Sequence, residues 1–141
     1  MTETVLTPAA SPATAHRPFS PTAFSISVAT AVILNVAVFL IASAGGASMI
    51  IEQPSESTLN VGIVIAATLV PLALAGLVTW FLARRRPVLR TVLAWVGLAV
   101  ALVSFASPLF VSADLATGLA LGAMHVIAGL AWFVGVRKPR A

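Results

Sequence analysis

The sequence predicts an all-α integral membrane protein, a four-helix bundle running up-down-up-down through a bilayer with both termini cytoplasmic. Three observations carry that expectation. Hydrophobic residues make up 60% of the chain and charged residues only 9%, against about 25% charged in an average soluble domain. The apolar residues fall into four long stretches, each near the roughly 20 residues a helix needs to cross about 30 Å of hydrocarbon. All eight Lys and Arg residues lie outside the interiors of those stretches, in three clusters. These are Arg17; Arg84, Arg85, Arg86 and Arg90; and Arg137, Lys138 and Arg140. Taken in order along the chain, all three fall on one side.

Residues 1–21 are rich in Thr, Ala, Ser and Pro, with prolines at 8, 12, 18 and 21 that stop a helix from continuing. They read as a disordered cytoplasmic tail. The first span, about 22–44, ends at Gly45-Gly46, and a polar loop with Glu52, Pro54 and Glu56 follows. The second span, about 59–83, holds Pro71 near its middle; Pro71 cannot donate to the Ala67 carbonyl, which predicts a kink. The short connection 84–90 makes the second and third spans antiparallel neighbours. The third span covers about 91–110, and Pro108 with Ser112-Ala113-Asp114 makes a turn. Asp114 then caps the fourth span, about 115–136, where a carboxylate complements the helix dipole and the orphan N–H groups. Residues 137–141 form a basic cytoplasmic tail. Ala42-Ser43-Ala44 has the small-x-small form of a signal-peptidase site, and cleavage at Ala44 would leave three spans. The apolar run before it exceeds the usual length of about 7 to 15 residues for a signal core, which favours retention.

Orientation follows from the positive-inside rule, with the basic clusters cytoplasmic and Glu52, Glu56 and Asp114 outside. The location expected is the plasma membrane, a bacterial inner membrane. Trp80, Trp95 and Trp132 fall near the expected cytoplasmic interface. The net charge of +4 points to acidic phospholipid as partner and not to nucleic acid, because the basic residues cap spans and form no stripe on a polar face. With no cysteine, disulfides, thiolate metal sites and thiol redox chemistry are excluded.

Within the membrane the most ordered pattern lies on the fourth span. At 100° per residue Asp114, Gly118, Gly122, His125, Gly129 and Trp132 project within about 40° of one direction. Gly118, Gly122 and Gly129 are the expected helix-packing residues, since small side chains let helix backbones approach. His125 lies about mid-bilayer and, with Asn35 of the first span, makes the candidate intramembrane polar site. An uncharged imidazole needs one donor and one acceptor partner, which Asn35, Thr68, Thr79 or Ser104 could supply. Nothing assembles a nucleophile with a base, a ligand cluster for a metal or a phosphate-binding loop, so no catalytic, cofactor-binding or metal residue is assigned.

Met124-His125 in an Ala/Leu/Gly-rich last helix, the Ser107-Pro108-Leu109 turn and the Arg84-Arg85-Arg86 hairpin carry a resemblance. Over about 24–136 the chain resembles an actinobacterial family of small four-span membrane proteins classed only as a domain of unknown function. The resemblance implies a four-helix bundle in the plasma membrane and no catalytic residues. The function expected is a non-enzymatic helix-packing or interaction subunit, partnering a second copy or another membrane protein through the glycine stripe. The alternative is a small transporter or channel with a polar or proton site at His125.

Overall fold

The computed structural model describes residues 19–52 and 54–138. The tail 1–18 with Arg17, and residues 139–141 with Arg140, lie outside the described residues. Four helical stretches are long and apolar enough to cross a membrane, Pro21–Ala44, Val61–Arg85, Val88–Val111 and Leu115–Arg137.

Helix α1, Pro21–Ala44, starts at Ser20, whose hydroxyl accepts the Ala23 amide at 3.3 Å, with Pro21 in the position where a missing N–H costs nothing. It ends because Gly46 turns left-handed, at φ +92°, and the amides of Gly45, Gly46 and Ala47 close back on the carbonyls of Ile41, Ser43 and Ala42. The segment expected as a polar loop instead contains a small antiparallel hairpin. Strand β1, Ile50–Ile51, pairs with β2, Ser57–Thr58, placing Ile50 opposite Thr58 and Ile51 opposite Ser57. Strands this short show no alternation of apolar and polar residues to read in a sequence.

Asn60 caps α2, Val61–Arg85, by accepting the Ile63 amide at 3.0 Å, and the helix runs through Pro71 without ending. Arg86 and Pro87 turn the chain into α3, Val88–Ser104. The third span expected over about 91–110 coincides with the apolar stretch Val88–Val111, which is not one unbroken helix. The helix stops at Ser104, and after Phe105 and Ala106 a short α4, Ser107–Val111, takes over. Pro108 is the cause: it has no N–H for the Ser104 carbonyl, and its ring would collide with that carbonyl in a continuing helix. Helix α5, Leu115–Arg137, begins at Asp114, whose Oδ1 accepts the Thr117 amide at 2.8 Å.

Helix α5 is the centre of the bundle, packed along α1 on one side and along α3 and α4 on the other. Helix α2 rests chiefly on α1 and touches α3 and α5 far less, although the turn at Arg86 ties it to α3. At the end carrying Arg84–Arg90, the core is Phe24, Val28, Ala31, Leu72, Ala94, Trp132 and Val136. Its two rings meet edge to face at 5.8 Å and 87°. Phe24 lies on Gly76 and Trp132 on Gly97 so closely that a Cβ at either glycine would collide with the ring. The Trp132 indole N–H donates to the Leu93 carbonyl at 3.0 Å. At the other end Phe39, Met49, Val64, Ala120 and Met124 pack beneath the hairpin.

The outer surface is apolar: Ile41 is 72% exposed, Val103 78% and Phe110 80%. Apolar area on that scale is untenable in water and ordinary in hydrocarbon. The four apolar helices and this surface together suggest a multi-pass membrane protein.

Candidate intramembrane site

Because α2 leans on α1, and because α3 stops at Ser104, a space is left between α2 and the α4–α5 pair. It is a cavity of about 520 Å³, within the roughly 300–1,000 Å³ usual for small-molecule sites. Its walls are Val64, Ala67, Thr68, Pro71 and Leu72 of α2, Ser107, Pro108 and Val111 of α4, and Leu121, Met124, His125 and Ala128 of α5. Asn35 of α1 stands at the back, and Ile51 and Leu59 close the hairpin end.

Three polar side chains of this wall sit at one depth. At about 1.5 Å of rise per residue, Asn35 lies about 14 Å from the Ala44 end of α1, Thr68 about 11 Å from the start of α2, and His125 about 15 Å from the start of α5. Thr68 donates its hydroxyl to the Val64 carbonyl of its own helix at 2.8 Å, so its oxygen is left to accept. It accepts from Asn35 Nδ2 at 2.9 Å, which fixes the orientation of the amide. Asn35 is 2% exposed, and its Oδ1 has no hydrogen-bond partner. A buried acceptor in that state is costly and rare.

His125 behaves differently from the expectation that another span would supply its partners. Its Nδ1 lies 2.8 Å from the Leu121 carbonyl of its own helix. A carbonyl only accepts, so Nδ1 carries the hydrogen. The structure brings Asn35 and His125 to the same cavity, but the bond Asn35 makes across helices goes to Thr68.

The glycines of the α5 stripe face the chain's own α3 and α4. A Cβ at Gly118 would meet Leu109 and the Pro108 carbonyl at 3.1 to 3.3 Å, one at Gly122 would meet the Phe105 ring and carbonyl at 2.8 to 2.9 Å, and one at Gly129 would collide with Ala101 Cβ. All three glycines are buried while His125 is exposed. Wheel position does not set His125 apart from them, because Trp132, further toward the same edge of the stripe, is buried against Gly97 of α3.

A family model described as a family of unknown function (DUF6069) matches residues 16–141. The chain belongs to this family. No curated protein and no solved structure matches it. The matched segment takes in all four long helices and every residue of the cavity wall.

Two further constellations of this family member lie outside the cavity. At the hairpin end Asp114 Oδ2 accepts the Ser48 amide at 3.0 Å, the Ser48 hydroxyl and the Thr117 hydroxyl, and Thr117 Oγ1 accepts the Met49 amide at 2.9 Å. These bonds clamp the segment after α1 to the start of α5. They also hold the Asp114 carboxyl well below the usual carboxylate range, the Ser48 hydroxyl first and the Thr117 hydroxyl and amide next. At the opposite end Arg84 stacks on Trp80 at 3.5 Å, Arg85 faces Phe81 at 5.2 Å and Arg137 faces Phe133 at 5.2 Å. Arg90 serves another purpose than its neighbours. Its guanidinium donates to the carbonyls of Val136, at 2.6 Å, Arg137, at 2.7 Å, and Lys138, at 3.0 Å. It therefore caps the C-terminus of α5 from α3. Ser48, Thr117 and this use of Arg90 had no signature in the sequence, because each depends on a partner more than 30 positions away.

Proposed function

We propose that this protein is a non-enzymatic multi-pass protein of the plasma membrane that works by binding a small, largely apolar molecule within the bilayer. The observation carrying this reading is the cavity between α2 and the α4–α5 pair, with its mostly apolar wall. Both ends are taken to face the cytoplasm, on the strength of the basic clusters. Binding is favoured over conduction because the basic half of the bundle is filled by the Phe24, Leu72, Trp132 and Val136 core. It is favoured over an interaction subunit acting through the glycine stripe because α3 and α4 already occupy that stripe. A second copy or another membrane protein would dock on a different face.

Native mass spectrometry of the full chain extracted from its membrane tests this. Wild type is expected to carry a non-covalent small-molecule adduct, and Ala67→Trp, which fills the cavity from α2, is expected to lose it while keeping its helical spectrum. An adduct retained in full by folded Ala67→Trp would overturn the reading.

A further inference from the structure

The cavity is shut at its two ends and open along one side. Ile51 and Leu59 cover the hairpin end, backed by Met49, which is 2% exposed, and the other end stops at Leu72 in the core of Phe24 and Trp132. Ile63, Ala67 and Pro71 of α2, spaced four apart on one helix face, are wall residues that are also exposed. So are Ser107 of α4 and His125 of α5 across from them. These five residues mark a slot between α2 and the α4–α5 pair, which α2 scarcely touches. In a bilayer crossed by the four helices, a slot in the flank of the bundle opens to hydrocarbon and not to water.

The wall runs about 16 Å along α2, from its start at Val61 to Leu72, at about 1.5 Å of rise per residue. One leaflet is half of a hydrocarbon core about 30 Å thick, so the cavity spans the depth of the leaflet on the hairpin side. No Asp, Glu, Lys or Arg lines it, so a hydrocarbon chain inside would strip water from none of these charges. Outside the wall, the hairpin end carries Glu52, Glu56 and Asp114, and no Lys or Arg lies between residues 18 and 83. Glu52 is exposed, follows the wall residue Ile51 and donates its amide to the carbonyl of the wall residue Val111 at 2.8 Å, which places it at the hairpin end of the slot.

We propose that the cavity receives, sideways through this slot, one acyl chain of a phospholipid from the hairpin-side leaflet, with a zwitterionic head group ending in an ammonium, as in phosphatidylethanolamine, and not an anionic one. The inference rests on the reading of the cavity as a binding site and names the molecule it takes. The slot lets the chain enter while the head group stays at the surface beside Glu52. An ammonium there meets opposite charge, and an anionic head group meets like charge. The preference has the size of an exposed ion pair, up to about fivefold.

The test uses the full chain in phosphatidylcholine nanodiscs doped with phosphatidylethanolamine or phosphatidylglycerol carrying a photoactivatable diazirine half-way down one acyl chain. Cross-linked residues are identified by mass spectrometry. The readout is labelling of Val64 and Met124, wall residues only 5% and 6% exposed, which lipid on the outside of the bundle does not reach. Both should be labelled, by the ethanolamine lipid up to about fivefold more than by the glycerol lipid. Ala67→Trp should abolish this labelling and leave that of Val103, on the exposed face of α3, unchanged. Glu52→Gln, which leaves the cavity as it is, should narrow the gap between the two head groups. Val64 and Met124 unlabelled in wild type, or labelled at full strength in folded Ala67→Trp, would overturn the proposal; if that variant still loses the native adduct, the binding site stands with another occupant. Glycerol lipid labelling these residues as well as ethanolamine lipid would overturn the choice of head group.

Discussion

At the scale of single residues the polar atoms are what the fold had to solve. Asn35 and His125 are legible in the sequence as costly groups in apolar surroundings, but which atom bonds to which is a tertiary fact. Asn35 pairs with Thr68 and His125 with its own helix, an outcome no spacing rule reports. Asp114 is the reverse case. Its capping role was plain from its place before the last span, while its grip on Ser48 was not. Because its carboxyl titrates below the usual range when folded, the stability it contributes is fully present above the unfolded value of about 4. That stability is lost as pH falls through the lower, folded value. Asp114→Asn should therefore lower the thermal midpoint at pH 7, and the gap between variant and wild type should close on titration well below pH 4. A gap that stays constant down to pH 2 would show that the charge does not hold the clamp.

At the scale of elements, the contacts of α5 decide the arrangement. Gly122 approaches the backbone of Phe105, which cannot yield as a flexible side chain would. Gly122→Leu should cost about 1–3 kcal/mol by overpacking, read as a lowered melting temperature in detergent. His125→Leu, at an exposed position with its bond inside its own helix, should stay within about 0.5 kcal/mol of wild type. The reverse ranking would place His125, and not the glycines, at the packed surface. The four long helices were readable because length and hydropathy are local quantities. The interruption of the third was only half readable. Pro108 is visible in the sequence as a breaker, but its effect falls four residues upstream, at Ser104, and not at the turn where the proline itself was assigned. That displacement ends α3 before the cavity, whose wall on that side is made by Ser107, Pro108 and Val111 of α4, which is why the cavity too was hidden.

At the scale of the whole molecule, segregation of charge is the most legible property of all. The described basic residues gather at one end of the bundle, and Glu52, Glu56 and Asp114 at the other. With no native cysteine to interfere, single cysteines placed at Ser55 and Pro87 test the orientation in intact cells. A membrane-impermeant maleimide should label position 55 and spare position 87, and labelling confined to 87 would invert the topology. One feature of the basic end bears on how such a chain is made. The carbonyls gripped by Arg90 belong to Val136, Arg137 and Lys138, 46 to 48 residues further along the chain. While α3 is being made those acceptors do not yet exist. Only once α5 has been made can Arg90 seize its end and draw that helix against the third. The same cation thus serves as a latch that can close only when both helices are in place.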